Sequence, residues 1–66
     1  MSNIIKKKRL EKGISQENLA NMANISITHL AEIENGNAVP SILVAQRIAK
    51  ALKTKVDDIF FTTPVV

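Results

Sequence analysis

The sequence predicts an all-α fold in which five short helices pack as one compact domain. Apolar residues recur at spacings of three and four within separate segments, which is the period of a helix with one buried face. Residues that begin or end helices separate these segments: serines such as Ser15 suit N-caps, and Gly13 suits a left-handed helix end. Residues 1–66 are expected to form a single small domain, and domains of this size are often stabilised by oligomerisation.

The first two helices are delimited by glycine, serine and asparagine. The first is predicted from about Asn3 to Lys12, ending before Gly13 because only glycine adopts a positive φ freely. The second is predicted from about Gln16 to Ala23, with Ser15 as its N-cap and Asn24 in the left-handed position after it. The residues expected to face the core from these segments and the following turn are Ile5, Leu19, Ala20, Ala23 and Ile25.

Only Asn24-Ile25-Ser26 separates the second helix from the third. So short a connection favours a steep helix-turn-helix crossing over a long antiparallel contact. The third helix is predicted to begin after Ser26 and to reach about Asn35, with Leu30 and Ile33 facing inward. Since residues three and four apart share a helical face, the sequence predicts an outward strip on this helix. The strip consists of Ile27, Thr28, Ala31 and Glu32.

Fewer local signals mark the bounds of the last two helices. Ser41 is predicted to cap the fourth helix. Thr54, with Asp57 three residues later, resembles a capping box and predicts a short fifth helix through Ile59 or Phe60. The apolar positions of the fourth helix that follow a helical period are Ile42, Val44, Ala45, Ile48, Ala49 and Leu52.

The charge of the chain is positive and unevenly distributed. The formal net charge is +3 and the sequence pI is about 9.6. Residues 1–12 carry five basic side chains against one acidic, whereas residues 13–46 carry three acidic side chains and no basic one. A basic run suits a polyanionic partner, although it is about as often a solvated helix face.

Composition argues against several classes of function. The chain has no cysteine and one histidine, His29, so no disulfide, metal site or cofactor is expected. No apolar run approaches the roughly 18 residues of a membrane helix, and no signal peptide is evident, so a cytosolic protein is expected. The chain lacks a nucleophile–base–acid set and a phosphate-binding glycine loop, which argues against an enzyme. Two phenylalanines and no other aromatic residue argue against a single-strand binder.

The pattern of residues from Arg9 to Leu52 resembles the Cro and phage-repressor type of helix-turn-helix protein, the lambda-repressor-like family. The resemblance covers about residues 5–60 without a gap. It implies a bacterial or phage transcription regulator that binds double-stranded DNA as a homodimer, with the third helix in the major groove and no small-molecule ligand. The matching residues are Arg9-x3-Gly13-Ile14-Ser15-Gln16-x2-Leu19-Ala20-x2-Ala23-x2-Ser26-x3-Leu30-x2-Ile33-Glu34-x-Gly36, then Pro40-Ser41 and Ile48-Ala49-x-Ala51-Leu52.

The resemblance also implies roles for single residues, although no target sequence carries over. An exposed isoleucine suits a thymine methyl and a glutamate can accept from cytosine N4. Arg9 and Glu34 match a structural salt bridge between the first and third helices. The base-reading positions are Ile27, Thr28 and Glu32. The positions expected at the DNA backbone are Lys8, Ser15, Gln16, Ser26, His29, Asn35 and Asn37, although for His29 a surface or packing role is favoured over a DNA contact.

Three features depart from the family pattern. Lys8 stands where many relatives carry an apolar residue, and Lys53 replaces a frequent glycine after the fourth helix. The loop Asn37-Ala38-Val39 lacks the basic residues often found there. Backbone amides and the lysines of the first helix are therefore expected to contribute more of the phosphate contact.

The C-terminal residues 54–66 are predicted to form a dimerisation segment. Core packing accounts for about two of its apolar residues, and the rest are expected in an isologous contact between two copies. The candidates for this dimer interface are Val56, Ile59, Phe60 and Phe61. The tail from Phe61 to Val66 is either a short extended segment or a frayed end. An alternative function is a protein-interaction module, such as the antitoxin half of a toxin–antitoxin pair, that binds through an exposed tail from Phe60 to Val66.

Overall fold

The computed structural model of the chain describes residues 2–61 and confirms an all-α fold with five helices. Two short strands, β1 and β2, pair antiparallel and join the two ends of the described chain. The elements in chain order are β1 (Ser2–Asn3), α1 (Ile5–Glu11), α2 (Gln16–Ala23), α3 (Ile27–Glu34), α4 (Ile42–Ala51), α5 (Val56–Ile59) and β2 (Phe60–Phe61).

Serine caps begin the three central helices where the sequence predicts them. The Ser15 hydroxyl accepts from the backbone N–H three residues on at 3.0 Å, and Ser26 does the same at 3.0 Å. Ser41 caps α4 in the same way at 3.2 Å. Each bond satisfies a backbone donor that the first turn of a helix leaves without a partner. The predicted starts of α2, α3 and α4 are therefore confirmed.

Left-handed residues end the helices. Gly13 follows α1 with φ +67° and Asn24 follows α2 with φ +58°, as predicted. Gly36 lies just beyond α3 at φ +79°. Lys53, which stands in the place of a family glycine, also adopts a positive φ of +55° after α4. The backbone therefore keeps the family conformation although a side chain is present.

The two terminal helices begin later than predicted. α1 starts at Ile5 rather than Asn3, because Asn3 is extended and pairs with Phe60 of β2. The predicted capping box is also wrong: Lys55 occupies the N-cap position of α5 without a side-chain cap. The Thr54 hydroxyl lies one residue too early and instead donates to a carboxylate oxygen of Asp58 at 3.4 Å.

The core forms between α2 and α4 with α1, α3 and α5 around it. Ala20 and Ala23 are small enough to let α3 and α4 approach α2 closely, and Ile25 packs at the edge of the core. One predicted core residue is wrong. Ile42 is 80% exposed, because it lies in the first turn of α4 ahead of the first buried position. The buried apolar residues are Ile5, Leu19, Ala20, Ala23, Leu30, Ile33, Ala45, Ile48, Ala49, Leu52, Ile59 and Phe60.

Candidate nucleic-acid interface

The outward strip predicted on α3 is present at the surface. Ile27 is 46% exposed, Thr28 and Glu32 are exposed, and Ala31 is half-buried between them. On the opposite face Leu30 and Ile33 are completely buried. The helix therefore offers one face of mixed polarity to solvent while its other face is fixed in the core.

A buried ion pair anchors the C-terminal end of α3 to α1. The Arg9 Nε atom donates to Glu34 Oε2 at 2.9 Å, and its Nη2 donates to Oε1 at 3.4 Å. A third donor of Arg9, Nη1, bonds the Ile14 carbonyl at 3.1 Å. Only 2% of the Glu34 side chain is exposed. The salt bridge that the resemblance implies between these two residues thus exists, and it is almost sealed from water.

Gln16 belongs to the same cluster. Its side-chain Nε2 donates to Glu34 Oε1 at 3.2 Å, which ties the first residue of α2 to the last residue of α3. This bond uses one of the two N–H groups of the amide, and a phosphate contact would use the other. Because the amide is held by a carboxylate that is itself fixed, its orientation is set before any ligand arrives.

The remaining residues predicted at the DNA backbone are all at least partly exposed. The side chain of Lys8 is partly exposed and forms a 3.9 Å pair with Glu11, which is too weak to hold the amine in place. Ser15 and Ser26 use a hydroxyl lone pair as a cap and still have a proton to donate. Among the residues predicted to contact the DNA backbone, the exposed ones are Ser15, Ser26, His29, Asn35 and Asn37.

Two of the four predicted dimer-interface residues lie inside the protomer. Ile59 is completely buried and Phe60 is 8% exposed, so both belong to the core and the interface prediction is wrong for their side chains. Val56 is half-buried against the core. The Phe61 side chain and residues 62–66 lie outside the described part of the chain. The alternative of an exposed protein-binding tail loses Phe60 for the same reason.

Two features of the surface carry no local sequence signal. Asn3 donates from Nδ2 to the Ile33 carbonyl at 2.7 Å, across thirty positions of the chain. Three apolar residues in the loop before α4 and in its first turn are also exposed: Val39 at 69%, Ile42 at 80% and Leu43 at 54%. Helical periodicity could indicate Leu43 as an outward residue, but it could not show that Ile42 joins it.

Metal and membrane sites were sought in the described residues. Within residues 2–61, no group of three or more histidine, aspartate or glutamate side chains is placed to hold a metal ion. Over the same range, no helix has the length and apolar character to cross a membrane.

Comparison with known proteins assigns the family. The Helix-turn-helix family profile matches residues 5–59, and the chain belongs to this family of Cro and phage-repressor type. It is 39% identical over 61 residues to YgzD of Bacillus subtilis, an uncharacterized HTH-type transcriptional regulator, and the match covers 92% of each chain. The family and its structural neighbours are transcriptional regulators, not enzymes.

Two solved structures share the fold. The restriction-modification controller protein C.AhdI of Aeromonas hydrophila superposes with a TM-score of 0.79 at 27% identity, covering 85% of both chains. SinR, a master regulator for biofilm formation solved in complex with DNA, gives a TM-score of 0.72 at 34% identity. That match covers 79% of this chain and 84% of SinR.

Proposed function

We propose that this chain is a sequence-specific transcriptional regulator that binds double-stranded DNA through the outward strip of α3. The observation that carries the proposal is the pairing of an exposed strip with a fixed back: Thr28 and Glu32 face solvent while Leu30 and Ile33 are fully buried. A rigid helix with free polar side chains suits the major groove, which admits one α-helix. The similarity to SinR, solved with DNA, supports the same reading.

Base reading would divide among three side chains. The exposed Ile27 suits the methyl group of thymine, and Glu32 suits the amino group of cytosine as an acceptor. Thr28 can donate to or accept from a base edge. These contacts supply specificity, because each base pair presents a distinct pattern of donors and acceptors in the major groove.

Phosphate contacts would set the position of α3 without reading sequence. The second N–H of Gln16, the Ser15 hydroxyl and the backbone amides at the start of α2 are all donors. The exposed lysines Lys6 and Lys7 of α1 add positive charge that attracts the duplex. Asn35 and Asn37 after α3 would extend the backbone contact on the other side.

The proposed regulator acts as a homodimer on a two-fold site. The two copies of α3 would enter half-sites about one helical turn apart, roughly 34 Å. We assign the dimer contact to the apolar residues at the start of α4. Val56 and Phe61 are the dimer-interface candidates that remain from the sequence-based prediction. Two copies of a chain with net charge +3 repel each other, and residues 35–46 contain no charged side chain. Contact there brings no charged side chain of this segment against its copy and covers Ile42 and Leu43.

Variants of the strip test the reading function. Thr28→Ala and Glu32→Ala should each lose discrimination at one base pair, by about 1–3 kcal/mol, and leave the other positions unchanged. Binding of the wild type and each variant to a set of single-base operator variants measures this. Asp57→Ala is the control for Glu32→Ala, because it also removes one negative charge, from an exposed position on α5. Equal losses on every sequence for Thr28→Ala and Glu32→Ala would show that these residues do not read bases.

A further inference from the structure

Asn3 joins the start of the chain to the C-terminal end of α3. Its side-chain Nδ2 donates to the Ile33 carbonyl at 2.7 Å. Its Oδ1 accepts from the backbone N–H of Ile5 at 3.2 Å, which caps the first turn of α1. The amide of Asn3 therefore donates one hydrogen bond and accepts another. Making both bonds requires a short side chain that carries a donor and an acceptor.

The backbone of Asn3 is itself fixed to the core. Asn3 pairs with Phe60 in the antiparallel strands, and the next residue, Ile4, donates its N–H to the Ile59 carbonyl at 3.0 Å. Ile59 and Phe60 are buried. The side chain of Asn3 thus reaches α3 from a backbone that cannot shift without disturbing the core.

The last turn of α3 is held from two sides. The Ile33 carbonyl accepts from Asn3 and from the backbone N–H of Gly36, the latter at 3.0 Å. The next side chain, Glu34, is held by Arg9 and Gln16. Two of the base-reading residues, Ile27 and Thr28, lie at the other end of the same helix, which is about 12 Å long for its eight residues. A small tilt at the held end would displace them, and contacts of this kind tolerate only about 0.5 Å.

We propose that Asn3 is a positioning residue for base reading: it fixes the direction of α3 and does not itself touch DNA. This inference rests on the proposed function of the α3 strip. Loss of its bond to Ile33 would leave the Gly36 bond to that carbonyl and the burial of α3 intact. The domain would then fold, but the strip would meet the base edges less accurately while phosphate contacts remained.

The test is Asn3→Ser in the full chain. A serine hydroxyl can still accept from the Ile5 N–H, but it is too short to reach the Ile33 carbonyl. The substitution changes no charge, so the electrostatic part of DNA binding stays constant. Affinities for a selected operator duplex and a scrambled duplex of equal length should be measured well below the melting temperature. We expect operator affinity to fall about tenfold and scrambled-duplex affinity to change less than about twofold.

Ile48→Val is the matched control for stability. Ile48 is fully buried in α4, and the loss of one methylene lowers stability without touching the Asn3 contact. It should leave the ratio of the two affinities unchanged. Should Asn3→Ser fail to fold, Asn3→Asp keeps the acceptor and the side-chain size while removing the donor, and the scrambled duplex corrects for its added charge.

The outcomes separate this inference from the function on which it rests. No operator preference in the wild type overturns the proposed function. A clear preference in the wild type that Asn3→Ser retains in full overturns only the role of Asn3. Equal losses on both duplexes also overturn it, because they would reflect a general loss of folded protein.

Discussion

Among single residues, Glu34 connects several parts of the domain. It accepts from Arg9 and from Gln16, so one carboxylate links α1, the start of α2 and the end of α3. A charge sealed from water is costly unless its partner remains in place. The same cluster therefore governs both the stability of the domain and the orientation of Gln16.

The ion pair predicts a strong asymmetry between single and double substitutions. Arg9→Met alone should destabilise the domain by about 3 kcal/mol or more, because it leaves the Glu34 carboxylate buried without a cation. Arg9→Met combined with Glu34→Leu should recover more than half of that loss, since no buried charge is left. Urea denaturation of Arg9→Met, Glu34→Leu, the double variant and the wild type measures it. A double variant as unstable as the sum of the two single ones would contradict this account.

The sequence could not pair these residues by itself. Arg9 and Glu34 are twenty-five positions apart, and helical periodicity says nothing about contacts between helices. Only the family resemblance connected them. Gln16 was expected at DNA on the same grounds, but its bond to Glu34 became visible only when the helices were placed together. Asn3 had neither a local signal nor a family position to identify it.

Among the helices, the end of α4 is the strained one. Lys53 has φ +55°, a conformation that costs an ordinary residue about 1 kcal/mol and costs glycine nothing. Lys53→Gly should therefore raise the free energy of unfolding by about 0.5–1 kcal/mol, after allowance for the greater freedom of glycine in the unfolded chain. Thermal melting of the variant and the wild type measures the change.

Gly13 provides the reverse experiment after α1. Its φ is +67°, and a Cβ added there would meet no atom within 4 Å, so Gly13→Ala tests backbone strain alone. It should destabilise the domain by about 1 kcal/mol. If Lys53→Gly and Gly13→Ala changed the free energy of unfolding in the same direction, backbone conformation would not decide stability at both positions.

Local signals predicted the helices whose caps are local. Ser15, Ser26 and Ser41 cap their helices by bonds to backbone three residues away, a distance that a sequence pattern can encode. The start of α1 was misplaced because Asn3 pairs with Phe60, at the far end of the described chain. Pairing between distant segments overrides a local helix preference, and the residues near Asn3 do not indicate that it pairs with Phe60.

For the whole molecule, the proposed dimer contact depends on which apolar residues the protomer leaves exposed. Apolar residues near the C-terminus looked available in the sequence, yet Ile59 and Phe60 complete the core of the protomer. The start of α4 shows the opposite outcome, since Ile42 was expected inside and is 80% exposed. Periodicity could not distinguish these cases, because which apolar residues the core uses depends on how all five helices pack.

The proposed dimer contact can be tested with two leucine-to-lysine substitutions. Leu43→Lys places a charge in the apolar segment at the start of α4 and should raise the dimer dissociation constant at least about tenfold, since a symmetric contact is affected twice. Leu10→Lys changes an equally exposed leucine on α1, 61% against 54%, and should leave it unchanged. Sedimentation equilibrium measures both. Equal effects, or none, would place the dimer contact elsewhere.

Selection of duplexes from a random pool by the wild-type protein tests directly whether α3 reads bases. If the outer face of α3 reads bases in two symmetric copies, the recovered duplexes will share an inverted repeat whose halves are centred about one helical turn apart. Recovery of a pool with no common sequence, in which binding weakens with salt to the same extent for every duplex, would contradict it.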